Sequence, residues 1–153
     1  MVCLGNICRS PMAQGILESK VKSLDLPWSV DSAGTSGWHD GEKPDKRAID
    51  TCKKYGIDIS GQRSRKLKQE DFNHFDLVLT MDKNNLDNVL KIAIGMEDKM
   101  KVRPLLTFLC GGAAEHEVPD PYYDNRFEEV YTLLNHAIDR LIEEKSLHFW
   151  NKI

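Results

Sequence analysis

Cys3 and Arg9 bound the stretch Cys3-Leu4-Gly5-Asn6-Ile7-Cys8-Arg9-Ser10-Pro11, whose composition suits a turn around an anion. A loop of this kind, ending a strand and opening a helix, can turn successive backbone N–H groups inward as a nest for negative charge. The first helical turn adds unpaired N–H groups and the positive end of its dipole. Arg9, at the far end, carries a planar fork that grips two oxygens of a phosphate. Cys3, at the near end, meets the same donors, and such surroundings stabilise a thiolate. A thiolate beneath a bound phosphate is a nucleophile aimed at phosphorus. Ser10 can donate its hydroxyl to the sulfur as it departs. The spacing alone is weak, since cysteine, any five residues and arginine also arise by chance as a buried thiol and a surface arginine. Placement at a strand–loop–helix junction gives it weight.

The flanking sequence supplies that junction. Val2-Cys3-Leu4 reads as a strand end broken by Gly5-Asn6, and Ser10-Pro11 as a helix start with proline at its first position. Ala13, Ile16, Leu17, Val21 and Leu24 share one helical face, and Leu26-Pro27 ends that helix. Trp28 to Ala33 reads as a second strand closed by Gly34. Residues 37–44 form a loop, and Ala48, Ile49, Cys52 and Tyr55 line a helix that stops at Gly56. Phe75 to Met81 is a short apolar strand of the kind buried on both faces, followed by a helix from Asp82 toward Ile94. Lys101 to Leu106 is a fourth strand, placed at an edge by Pro104. Cys110 to Pro121 is a loop. Phe127, Val130, Tyr131, Leu134, Ile138, Leu141 and Ile142 then repeat at the spacing of a long amphipathic helix. The alternation predicts an α/β domain with parallel strands and right-handed crossovers.

The bulk properties narrow the class. The 153 residues suit a single domain, 1–153. Hydrophobic residues make up 41% and charged residues 29%, as in soluble globular chains. A formal net charge of −3 argues against a nucleic-acid partner. The run Arg63-Ser64-Arg65-Lys66-Leu67-Lys68 therefore reads as a solvated face that helps attract acidic phosphosubstrates. No apolar run is long enough to span a membrane, and the N-terminus lacks the pattern of a secretory signal. Cys3, Cys8, Cys52 and Cys110 are accordingly expected as free thiols in a reducing, cytoplasmic setting. His39, His74, His116, His136 and His148 show no zinc-site spacing with them and read as solvated, so no metal or other cofactor is expected.

The string from Cys3 to Pro11 resembles the signature loop of the low-molecular-weight protein-tyrosine phosphatases. The likeness continues through Asp31-Ser32-Ala33-Gly34-Thr35-Ser36, the strand from Asp76 that ends in Met81-Asp82, and Asp120-Pro121-Tyr122-Tyr123. It implies a four-stranded parallel sheet with helices on both faces, with the site at the carboxyl ends of the strands. It also implies hydrolysis of phosphotyrosine on proteins through a cysteinyl-phosphate. In that scheme Cys3 is the nucleophile, and Arg9 binds the phosphoryl oxygens. Backbone N–H groups of Leu4, Gly5, Asn6, Ile7, Cys8 and Arg9 complete the cradle. Asp120 protonates the leaving phenolate and then activates water; without the resemblance, Asp120-Pro121 is only a turn start. Asn6 holds the loop through Ser32. Cys8 resembles a second loop cysteine that traps an oxidised Cys3 as a disulfide; otherwise it is a small packing residue. Trp38, Tyr122 and Tyr123 wall a pocket for a planar aryl group. Ile7 stands where a related phosphoarginine-specific branch carries threonine, and it offers a guanidinium no polar group. The expected substrates are phosphotyrosine-containing proteins, and a monomer is expected.

Two departures stand out. Family members usually carry several residues before the nucleophilic cysteine, forming a central strand of about five, whereas only Met1 and Val2 precede Cys3. The first strand is thus expected to be truncated, with residues missing before Met1 as the favoured reading. A genuine loss of that core would cost on the order of several kcal/mol. Gln62 stands where many members carry a histidine; it keeps hydrogen bonding but not titration, so a modest effect on pH dependence is expected. Two rival readings remain. An arsenate reductase would use the same loop plus distal relay cysteines, but Cys52 and Cys110 lie far apart in sequence. A phosphate-binding module without catalysis would not need Cys3, Arg9 and Asp120 together.

Overall fold

The computed structural model describes residues 1–109 and 117–150, with side chains up to residue 146. Strands β1 (Val2–Cys3), β2 (Ala33–Gly34), β3 (Val78–Thr80) and β4 (Val102–Pro104) form one parallel sheet in the order β2-β1-β3-β4. The helices are α1 (Arg9–Ser23), α2 (Lys46–Lys54), α3 (Asp71–His74), α4 (Lys83–Ile92), α5 (Gly95–Lys101), α6 (Pro121–Asp124) and α7 (Phe127–Trp150). A short 3₁₀ turn covers Leu105–Phe108. Among the described residues no helix is long and apolar enough to cross a membrane.

Alternation along the strands builds a core on each face of the sheet. Cys3 and Leu79 point into the larger core, with Met12 and Ile16 of α1, Cys52 of α2, and Val130, Leu134 and Ile138 of α7. Val2, Ala33 and Val78 point the other way, onto Phe72 of α3 and Val89 of α4. The seven apolar positions predicted for the last helix are all buried on α7. α2 ends before Gly56, whose φ of 76° is a left-handed conformation that side chains resist. β4 lies at the sheet edge, where Pro104 has no outer strand to supply with an N–H.

Several sequence expectations change. The second strand is confined to Ala33–Gly34, because β1 pairs only with those two residues. The third shortens to Val78–Thr80. In the fourth, Lys101 closes α5 and Leu105 opens the 3₁₀ turn. Helix α1 stops at Ser23, which leaves Leu24 55% exposed at its cap. Tyr55 lies off the core and stacks on Tyr131, ring centroids 3.8 Å apart. Helices α3, α5 and α6 are too short for their periodicity to register in the sequence.

The basic run is not simply a solvated face. It extends beside the outer edge of β2: the Gly34 N–H donates to the Arg65 carbonyl (2.8 Å), and the Leu67 N–H to the Gly34 carbonyl (2.8 Å). Ser64 and Leu67 are therefore buried, while Arg63, Lys66 and Lys68 face outward. Arg65 is tied to Asp31 at 2.8 Å and Asp71 at 2.9 Å.

Candidate active site

β1 ends at Cys3 and α1 begins at Arg9, so residues 4–8 must reverse direction within one short loop. Asn6 makes the sharpest bend, with φ of 54°, a conformation that asparagine tolerates better than most residues. Its buried amide locks the bend: Nδ2 donates to Ser10 Oγ (2.9 Å) and Ser32 Oγ (2.8 Å), and Oδ1 accepts from the Arg65 N–H (3.0 Å). Gly34 of β2 presses against the loop from the side. A Cβ there would lie 2.8 Å from the Leu4 carbonyl oxygen.

The loop carbonyls face away from the bowl that the loop encloses. Leu4 O accepts from Ser36 N (2.9 Å), Gly5 O from Ser64 Oγ (3.0 Å), and Ile7 O from Asp45 N (2.7 Å). In a planar trans peptide the following N–H points the opposite way, so the amides of Gly5, Asn6 and Cys8 turn inward. The Asn6 N–H indeed points at Cys3 Sγ, 3.3 Å away. Ser10 Oγ lies 3.0 Å from the same sulfur. Helix α1 has no side-chain cap, which leaves its first N–H groups open toward the same space.

Arg9 is nearly buried, and acceptors hold it from behind. Nη1 donates to Asp82 Oδ2 (2.6 Å) and to the Val118 carbonyl (3.1 Å), and Nη2 to Asp120 Oδ2 (3.3 Å). Burial opposes its charge, but Cys3, Asp120 and Asp82 together outweigh burial and keep the guanidinium protonated. Asp120 caps α6, accepting from the Tyr122 N–H at 3.2 Å, with its side chain 33% exposed. Cys8 is different: burial above all, reinforced by Asp45 and Cys3, pushes its thiol far up, so it is neutral at physiological pH.

These groups meet at one cavity of about 200 Å³. The loop lines it with Cys3, Leu4, Gly5, Ile7, Cys8 and Arg9. Trp38, His39, Asp120, Tyr122 and Tyr123 complete the lining. Trp38 and Tyr123 are mostly exposed at the rim, 75% and 84%. Asn6, Ser10 and Ser32 sit behind the loop as its supports rather than on its surface.

Two residues of this region have roles that the sequence motifs do not assign. Asp82 anchors Arg9; in the sequence it ends the Met81-Asp82 motif without an assigned role and otherwise reads as a common helix cap, which it also provides to Asn85 N at 2.7 Å. His39 lines the cavity rather than sitting on open surface, and its ring bonds Glu42 at 2.8 Å. Nothing in the local pattern marked it. His74 and His136 are exposed as expected, whereas His116, the side chain of His148, and Cys110 lie outside the described residues.

Comparison with known proteins agrees with this geometry. Residues 1–148 match the family model for low molecular weight phosphotyrosine protein phosphatase. The phosphatase PtpA of Staphylococcus haemolyticus is 38% identical over 143 residues, covering 93% of this chain and 89% of PtpA. The crystal structure of YfkJ from Bacillus subtilis superposes with a TM-score of 0.87 at 33% identity, covering 96% of this chain and 92% of YfkJ. The protein tyrosine phosphatase of Entamoeba histolytica, solved with Hepes in its active site, gives 0.87 at 33% identity, covering 96% and 95%. An inward-turned loop between sulfur and guanidinium, a matching family model over nearly the whole length and the shared sheet lead to one conclusion: the chain belongs to the low molecular weight protein-tyrosine phosphatase family.

Proposed function

We propose that the cavity hydrolyses phosphotyrosine on proteins, with Cys3, Arg9 and Asp120 as its catalytic residues. The phosphoryl group enters the loop with its three non-bridging oxygens on the inward amides and the Arg9 guanidinium. Cys3 Sγ attacks phosphorus from the floor, in line with the departing phenolic oxygen. Asp120, on the opposite side, delivers the proton that the phenolate needs as the phosphorus–oxygen bond breaks. The resulting carboxylate then takes a proton from water, whose oxygen attacks the cysteinyl-phosphate. Sulfur leaves as a thiolate, received by the Asn6 N–H and the Ser10 hydroxyl.

The observation that carries this reading is the convergence of Cys3, Arg9 and Asp120 on one cavity with aromatic sides. Trp38 and Tyr122 suit a planar ring, and Ile7 gives a phosphoguanidinium no polar contact. The three described free cysteines are buried, which fits a reducing compartment, the cytoplasm. Both cores are built on the same sheet, which supports one domain, and that domain acts as a monomer in this reading. Cys8 guards an oxidised Cys3 by disulfide formation.

Arsenate reduction has less support. Cys52 is fully buried in the core and does not line the cavity. The test is hydrolysis of matched phosphotyrosine, phosphoserine and phosphoarginine peptides by the wild type and by Cys3→Ser. Turnover of the phosphotyrosine peptide, lost in Cys3→Ser, is the expected result. Binding without turnover would indicate a phosphate-binding module, and arsenate reduction that depends on Cys110 would favour the reductase.

A further inference from the structure

Arg47 does not line the cavity, yet it joins the two segments that the reaction must keep in register. Its partner Asp45 caps α2 and is fastened to the phosphate-binding loop, because the Asp45 N–H donates to the Ile7 carbonyl at 2.7 Å. The Asp45 carboxylate then holds Arg47 through both oxygens: Oδ1 accepts from Nε (3.0 Å) and from the Arg47 backbone N–H (2.8 Å), and Oδ2 accepts from Nη2 (2.9 Å). This fork-to-fork pairing fixes the plane of the guanidinium. The remaining donor, Nη1, reaches the Tyr122 carbonyl at 3.2 Å. The guanidinium carbon also sits 4.7 Å from the centroid of the Phe127 ring and 5.4 Å from that of Tyr122. Tyr122 in turn donates its N–H to Asp120.

The contacts form a closed ring. It runs from the loop at Ile7 through Asp45, Arg47 and Tyr122 to Asp120, and returns to the loop through Arg9. α6 is only one turn long and is entered from a coil at residues 117–120. Its own hydrogen bonds therefore do little to set the distance between Asp120 and Cys3. When a substrate phosphate takes over Arg9, the Arg9–Asp120 contact must loosen. The entering coil stays anchored where the Val118 N–H donates to the Met81 carbonyl at 2.8 Å, and the Arg47 link holds the other side of Asp120, at Tyr122.

We infer that Arg47 is a positioning residue for the proton-transfer step: through Asp45 and Tyr122 it sets Asp120 against the phosphate-binding loop. The inference rests on the proposed phosphatase reading, with Asp120 as the acid. A misplaced acid matters most where the leaving group most needs a proton. Loss of Arg47 should therefore slow poor leaving groups more than good ones.

The test measures kcat/KM for phenyl phosphate and 4-nitrophenyl phosphate on the same preparations of wild type, Arg47→Met and Arg47→Lys. The ratio of the two values cancels the fraction of folded enzyme. In Arg47→Met, phenyl phosphate is expected to lose about tenfold or more, against roughly two- to threefold for 4-nitrophenyl phosphate. Arg47→Lys keeps a charge without the fork and should fall between wild type and Arg47→Met. In an Asp120→Asn background the added Arg47→Met change should leave the ratio unaltered. Equal losses on both substrates, or an undiminished effect without Asp120, would overturn the inference. If the wild type hydrolysed neither substrate, the phosphatase reading itself would fail instead.

Discussion

Arg9 Nη1 stands 2.6 Å from Asp82 Oδ2, and the two side chains are only 4% and 18% exposed. The aspartate sits just past β3 and also caps α4 through its other oxygen. One carboxylate thus ties the guanidinium at the start of α1 to the neighbouring strand and helix.

Asp82→Asn separates these duties. Asparagine can still cap α4 but no longer offers Arg9 a charge. Breaking a buried pair costs about 3 kcal/mol or more when the remaining charge has no other partner; here Asp120 still faces Arg9 at 3.3 Å, so the loss should be smaller than that. The expected outcome is a fall of roughly tenfold or more in kcat/KM for an aryl phosphate, with a lowered melting temperature. Unaltered kinetics would mean that Val118 and Asp120 suffice to aim Arg9.

Asp120→Asn removes the transferable proton while keeping an acceptor for the Tyr122 N–H. The expected loss in kcat/KM is about 10²-fold or more on phenyl phosphate, and smaller on 4-nitrophenyl phosphate. Rapid mixing should also show slower hydrolysis of the phosphoenzyme. A variant as fast as wild type on both substrates would remove Asp120 from the mechanism.

Asn6 supports two distinguishable substitutions. Asn6→Gly accepts the φ of 54° but loses the links to Ser10, Ser32 and the Arg65 N–H, whereas Asn6→Ala loses the links and adds strain. At about 1 kcal/mol per hydrogen bond, Gly should lower stability by about 2–3 kcal/mol and Ala by about 1 kcal/mol more. Urea unfolding of the three proteins measures both differences, and an Ala variant no weaker than Gly would show that backbone strain is not what selects asparagine.

Cys52 makes an alkaline prediction. Burial pushes its thiol from 9.0 up to about 12. Between those values the unfolded chain has released a proton that the folded chain retains, so stability falls as pH rises. The contribution is fully present below about pH 9 and is lost toward pH 12, with a slope of about 1.4 kcal/mol per pH unit for a fully differing group. Cys52→Ala should flatten this limb, although its cavity lowers stability at neutral pH. Denaturant midpoints of both proteins between pH 8 and about 10.5 would show parallel decline if Cys52 played no part.

The amino-acid sequence by itself determined the junction at Cys3–Pro11 and the periodic elements around it. Glycine, proline and capping residues act within a few positions, and α7 repeats its apolar face often enough to be read directly. Strand lengths were not legible, because pairing depends on which neighbour lies alongside: residues from Trp28 to Ser32 have strand composition but no partner in β1. The basic run was legible only in part for the same reason: its exposed Arg63, Lys66 and Lys68 read as a solvated face, but the free edge of β2 that buries Ser64 and Leu67 exists only once the sheet has formed. Only the tertiary structure brought Asp82, Asp120 and Arg47 within reach of the loop, across separations of 73, 111 and 75 residues in the Arg9–Asp82, Arg9–Asp120 and Arg47–Tyr122 contacts. A hydrogen bond acts over about 3 Å, and local sequence carries no record of which distant chain will arrive at that distance.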